Sequence, residues 1–216
     1  MGRPTQGVAP GVTFPLRLAV LGDSIAYGTG ALSREDTLGP RLAAALRADG
    51  FDVDLSVLAV PRAVSADLPA QVRRALPLRP DLAVVVIGAN DLARFVPPAS
   101  ACRFLTDAVT ALQDGGTDVV VVPAPDMSAV PWIPAAFRDV VSAASGLMQR
   151  HQAEAALAAG ARVADVSPQI AAAFATDPSL FAADRFHPSS AGYARIAEAL
   201  APAVLAAARD RRDAAA

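Results

Sequence analysis

Leu82-Ala83-Val84-Val85-Val86-Ile87-Gly88-Ala89-Asn90-Asp91 is the stretch on which the fold turns. Its first six residues are apolar and leave no polar face. Such a strand has to be covered on both sides, as in a parallel sheet held between two helical layers. Val119-Val120-Val121-Val122 repeats the pattern, and residues 16–21, 53–60 and 161–166 also have strand character. Helical spacing fills the intervals at 36–49, 66–75, 99–113 and 135–159. A last helix is predicted over 189–208, with Ser189 or Ser190 as its N-cap. The unbroken β-α alternation predicts an α/β fold, a three-layer α/β/α sandwich around a flavodoxin-like parallel sheet of about five strands. No linker or internal repeat interrupts it. The whole chain, 1–216, therefore reads as one domain with its core over about 16–208 and frayed ends, the tail 209–216 included.

In such sheets ligands bind beyond the carboxyl ends of the strands. Ser24 follows the first strand, Arg62 and Ala63 the second, and Gly88-Ala89-Asn90-Asp91 the third. Asp184-Arg185-Phe186-His187-Pro188 precedes the last helix. A serine hydroxyl is a poor nucleophile at neutral pH. It needs a histidine to take its proton and a carboxylate to orient that histidine. The chain has two histidines. His151 stands in the polar patch Gln149-Arg150-His151-Gln152 and reads as solvent-facing, whereas His187 has Asp184 three residues before it. The pairing of Gly22-Asp23-Ser24 with this turn points to acyl transfer, and first to an esterase.

Composition narrows the alternatives. The net charge of −2 argues against a nucleic-acid partner. All 19 basic residues are arginines. The missing lysine excludes a Schiff-base lysine, a Ser-Lys dyad and a P-loop. The single Cys102 permits no intrachain disulfide and reads as a helical packing residue. One cysteine and two distant histidines make no recognisable metal site, and no cofactor is expected. No apolar run reaches transmembrane length. Residues 1–15 lack the pattern of a secretory leader, so a cytoplasmic enzyme is the expectation.

The order Gly22-Asp23-Ser24, Gly88-Ala89-Asn90-Asp91, Asp184-Arg185-Phe186-His187 resembles the SGNH hydrolase superfamily, the GDSL-type esterases and lipases, over residues 17–205. Each block alone is weak; three in order are a strong signal. The resemblance implies Ser24 as nucleophile, His187 as general base and then acid, and Asp184 as the group that orients His187. It also implies an oxyanion hole built from the Ser24 N–H, the N–H of a glycine after the second strand and the side chain of Asn90, the chain's only asparagine. The loop after the second strand departs from the family pattern. In Ala59-Val60-Pro61-Arg62-Ala63 an arginine stands where glycine is expected. Either the loop shifts and the Arg62 N–H still donates, or the guanidinium reaches the site and favours an acidic substrate.

The partner this implies is a small ester with a short to medium acyl chain. Two proline-rich segments, 93–98 and 123–134, are candidates for the pocket wall or a lid, or else seal the core under irregular connections. Asp23, Phe95 and Trp132 are the candidate substrate-binding residues, although Asp23 reads more simply as a brace of its own turn. Asp91 reads as a cap or brace of the next loop, and Tyr193 as packing. Two other readings stand beside the esterase. One is an acyltransferase with the same residues. The other is a flavodoxin-like binding module whose 22–30 loop cradles phosphate, which leaves Asn90 and the Asp184/His187 pair unexplained.

Overall fold

The computed structural model describes residues 13–215. Its strands are β1 (Phe14–Gly22), β2 (Phe51–Val57), β3 (Leu82–Val86), β4 (Asp118–Val122) and β5 (Arg162–Val163). They form one sheet in the order β2-β1-β3-β4-β5, with every neighbouring pair parallel. The helices are α1 (Ser24–Tyr27), α2 (Leu38–Ala48), α3 (Leu68–Ala75), α4 (Ala89–Ala93), α5 (Pro98–Asp114), α6 (Ala135–Ala158), α7 (Ser167–Thr176) and α8 (Ser190–Ala215). The parallel α/β architecture expected from the valine runs is the observed one.

Strand alternation divides the core into two layers. Leu18, Val20, Val84, Val86 and Val120 face α2 and α8, while Ala19, Leu21, Val85, Val119 and Val121 face α3 and α5. Every residue of β3 is buried. Each buried valine or leucine contributes about 1.5–3 kcal/mol relative to exposure. The strand order reverses beside β1, and Gly22 lies level with Val86 at the carboxyl ends of β1 and β3. The chain therefore leaves both strands into one crevice, the place where this architecture binds ligands.

Two buried glutamines hold that crevice open. Gln71 of α3 accepts from the Gly22 N–H (2.7 Å) and donates to the Gly22 carbonyl (2.9 Å). Gln152 of α6 accepts from the Ala124 N–H (2.8 Å) and donates to the Ile87 carbonyl (3.1 Å). Each satisfies backbone groups at a strand end where the ladder stops, the Gly22 carbonyl being shared with the Val60 N–H (3.0 Å).

The elements differ from the sequence expectation at their ends. β2 stops at Val57 because the Leu58 and Ala59 amides both turn to the Val20 carbonyl (2.8 and 3.2 Å). β5 shrinks to two residues at the sheet edge. The tail does not fray: α8 continues to Ala215. Arg209 pairs with Asp49, Arg211 bridges Asp81 and Asp118, and Arg212 lies over the Phe51 ring. These contacts tie the last turns to strand ends far away in sequence. The leader expected to be absent falls on residues 1–15, of which 1–12 lie outside the described residues. Among the described residues no helix is long and apolar enough to cross a membrane.

Candidate active site

Ser24 owes its place to Gly22. A Cβ at position 22 would lie 1.8 Å from the Val86 carbonyl oxygen, and φ is +133°. Glycine alone allows the chain to leave β1 this sharply. The Asp23 N–H then donates to the Val86 carbonyl (3.1 Å), and Asp23 Oδ1 accepts from the Ile25 N–H (2.9 Å), capping α1. Ser24 is the first residue of α1 and is buried apart from its 4% exposure. From α8 the buried Tyr193 hydroxyl donates to the Thr29 carbonyl (2.8 Å), fixing the loop behind α1.

The second arm is a tight turn closed by an antiparallel bridge between Phe181 and Pro188. The His187 carbonyl accepts from the Ala182 N–H (2.8 Å), and Arg185 takes φ +55°. Asp184 Oδ1 accepts from the N–H groups of Phe186 and His187, both at 3.0 Å. Its other oxygen meets His187 Nδ1 at 2.6 Å, and His187 Nε2 lies 3.1 Å from Ser24 Oγ. A carboxylate only accepts, so Nδ1 carries the proton and Nε2 is left to accept from the Ser24 hydroxyl. Phe186 packs edge-on against the His187 ring at 4.9 Å, and Trp132 stacks on Phe186 at 5.8 Å. Burial pushes the Asp184 carboxyl up, but the bonds from the His187 ring and from the two N–H groups outweigh it and hold its pKa below the usual value.

The third arm joins the loop after β2 to α4. Val60 to Ala63 form a β-turn, closed by the Ala63 N–H on the Val60 carbonyl (3.1 Å). Arg62 occupies its third position with φ +70°. A left-handed conformation at a non-glycine residue costs about 1–2 kcal/mol. Asn90 Nδ2 donates to the Ala63 carbonyl (3.0 Å), which leaves its second amide hydrogen free. The Ser65 N–H donates to the buried Asp91 carboxylate (3.0 and 3.1 Å). Asp91 is thus a brace of the loop, as its position after Asn90 suggested.

A narrow apolar cavity of about 90 Å³ opens beside Ser24 and His187. It runs inward between the ends of β3 and β4 and α7, with Val122, Ile170, Phe174 and Ile196 in its wall. Of the two proline-rich segments, the one after β4 lines it through Pro123, Pro125, Met127 and Val130, whereas the 93–98 segment does not. Phe95 projects into solvent, 92% exposed, and lies outside the cavity wall. Trp132 also lies outside it and braces Phe186 instead. Asp23 is buried under the serine turn, where it caps α1 and touches no cavity. Sequence reasoning missed α7 altogether. Its Ile170 and Phe174 spacing was the available signal, obscured by short polar flanks. His151 is exposed on α6, and Cys102 is half-buried on α5. Among the described residues no cluster of three or more metal-binding side chains occurs.

Asp23 carries a large titration shift next to the site. Burial pushes its carboxyl up to about 7, with Asp91 adding to the shift, against hydrogen bonds from the Ile25, Ala89 and Gly88 amides. The folded protein therefore holds a proton between about pH 4 and 7 that the unfolded chain releases. This group's contribution to stability is complete below pH 4 and is lost as pH rises through about 7. Asp23→Asn keeps the acceptor for the Ile25 N–H. Thermal melts are expected to show the variant gaining on wild type between pH 5 and pH 8, by at most about 3 kcal/mol. An unchanged difference across that range would place the proton elsewhere.

Comparison with known proteins adds an independent line. A sequence model of the GDSL-like lipase/acylhydrolase family matches residues 20–195. The chain is 34% identical over 203 residues to the GDSL-like esterase Rv1075c of Mycobacterium tuberculosis, covering 92% of this chain and 65% of that protein's length. Its fold resembles the crystal structure of TesA (TM-score 0.71, 22% identity, 88% of this chain and 99% of that one). It is also similar to a catalytic mutant of Axe2, an acetylxylan esterase from Geobacillus stearothermophilus (TM-score 0.72, 18% identity, 89% and 95%). A third similar structure is the lipase/acylhydrolase of Enterococcus faecalis (TM-score 0.71, 20% identity, 88% and 96%).

Proposed function

The chain belongs to the GDSL-like lipase/acylhydrolase family, and from that premise we propose that it hydrolyses carboxylic esters through an acyl-Ser24 intermediate. The observation that carries this reading is the continuous line from Asp184 Oδ2 through His187 to Ser24 Oγ, at 2.6 and 3.1 Å, set at the mouth of an apolar cavity. In the proposed reaction Ser24 Oγ attacks the ester carbonyl carbon while His187 Nε2 takes the hydroxyl proton. Asp184 holds the ring in the tautomer that makes this possible and stabilises the imidazolium. The carbonyl oxygen becomes an oxyanion, received by the Ser24 N–H, the Arg62 N–H and the second amide hydrogen of Asn90. The Ser24 N–H opens α1 and has no intrahelical partner. Collapse breaks the C–O bond to the alcohol, which leaves with the proton from Nε2. Water then attacks the acyl-enzyme with His187 again as base, releasing the acid.

The cavity supports an acyl chain of limited length. A water-sized group needs about 10–15 Å³ of such space, so 90 Å³ accommodates about six to nine of them, and a methylene is of similar size. Turnover of p-nitrophenyl esters from acetate to dodecanoate tests the reading. kcat/KM is expected to peak near hexanoate and to fall at least tenfold by dodecanoate. A profile flat from acetate to dodecanoate would remove the cavity from the acyl site, and no turnover of any ester would remove the function.

A further inference from the structure

Arg62 is held in a conformation that its own chemistry disfavours. A φ of +70° at the third position of a turn whose second residue is proline is the type II geometry, and glycine is the residue that adopts it freely. Three side-chain ties bind this loop to α4 and the residue after it. Asn90 holds the Ala63 carbonyl, Asp91 holds the Ser65 N–H, and Arg94 Nη2 donates to the Arg62 carbonyl at 3.0 Å. The last of these acts on the strained residue itself. Among the described residues the Arg62 N–H makes no hydrogen bond, so it remains available as a donor.

We propose that Arg94 is a positioning residue: by anchoring the Arg62 carbonyl, its guanidinium keeps the Arg62 peptide in the left-handed turn that presents the Arg62 N–H to the oxyanion. The inference rests on the ester hydrolase reading above. Arg94 does what a glycine would make unnecessary, because a glycine occupies φ +70° without support. Its effect belongs to kcat, since the oxyanion charge develops only in the transition state. A loosened loop moves one donor of three, so the expected loss is smaller than for deleting a donor outright.

The test is a double-mutant cycle on p-nitrophenyl hexanoate. Arg94→Ala is expected to lower kcat about tenfold at unchanged KM, and Arg94→Lys to recover part of it through a single donor. In an Arg62→Gly background, Arg94→Ala is expected to lower kcat by less than twofold. Unchanged kcat in Arg94→Ala, a rise in KM alone, or equal losses in both backgrounds would overturn the positioning role. Ser24→Ala, run beside the cycle, separates this failure from that of the underlying reading. Full turnover without the Ser24 hydroxyl would sink both, whereas a dead Ser24→Ala protein beside an additive cycle would sink the Arg94 role alone.

Discussion

Ser24→Ala is expected to lower kcat for p-nitrophenyl hexanoate by about 10⁴–10⁶-fold while leaving the melting transition close to that of wild type. The size follows from the loss of the covalent step. Without Oγ no acyl-enzyme forms, and the residual rate is what binding and the oxyanion donors give to attack by water. The folding consequence is small for a local reason. Ser24 Oγ has one hydrogen-bond partner, His187 Nε2, and the α1 turn is held by the Asp23 cap and by Gly28 and Thr29 N–H groups on the Ser24 backbone carbonyl, all of which alanine preserves. His187→Ala is expected to lose about as much, and the two losses together to be no larger than one, since nucleophile and base act as a unit. Separate, additive losses measured in the double variant would refute that coupling.

Asp184→Asn is expected to cost about 10⁴-fold in kcat. The substitution keeps Oδ1, and with it the bonds to the Phe186 and His187 N–H groups that shape the turn. It replaces the oxygen facing His187 Nδ1 with an amide donor. The ring must then accept at Nδ1 and carry its proton on Nε2, where it can no longer take the proton of Ser24. The geometry survives and the tautomer is wrong. Because hydrogen bonds hold the Asp184 carboxyl below the ordinary range, its stabilising contribution is present above the unfolded pKa and is lost only as pH falls through the lower folded value. The variant is therefore expected to match wild type in stability at low pH and to fall behind it at neutral pH. Near-wild-type kcat in Asp184→Asn would show that the carboxylate does not orient the base.

Much of this was legible in the chain. Val84 to Val86 and Val119 to Val122 are apolar on both faces because they lie between two helical layers, and a one-dimensional pattern records that directly. Ser24 and Asn90 could be placed in one crevice because parallel strands bring all carboxyl ends to one edge. What escaped the reading depends on contacts between distant residues. Gln71 and Gln152 look like ordinary helical surface residues, yet each closes a strand end forty-nine or more residues away for one and twenty-eight or more for the other. Trp132 was assigned to substrate, but it stacks on Phe186, a partner that no local pattern names. The tail was expected to fray, whereas Asp49, Asp81 and Asp118 supply partners for its arginines. At Arg62 the departure from glycine was visible, but the hydrogen bond from Arg94 to its carbonyl appears only once the turn and α4 are seen together.

The most direct measurement of the central claim is covalent labelling. The protein is incubated with diethyl p-nitrophenyl phosphate, whose phosphorus accepts an activated serine and releases p-nitrophenolate, and its peptides are then analysed by mass spectrometry. A single diethylphosphoryl adduct on Ser24, formed in step with loss of esterase activity and absent from His187→Ala, is the predicted result. Esterase activity that persists after Ser24 is fully modified, or is lost through an adduct on another residue, would contradict the account.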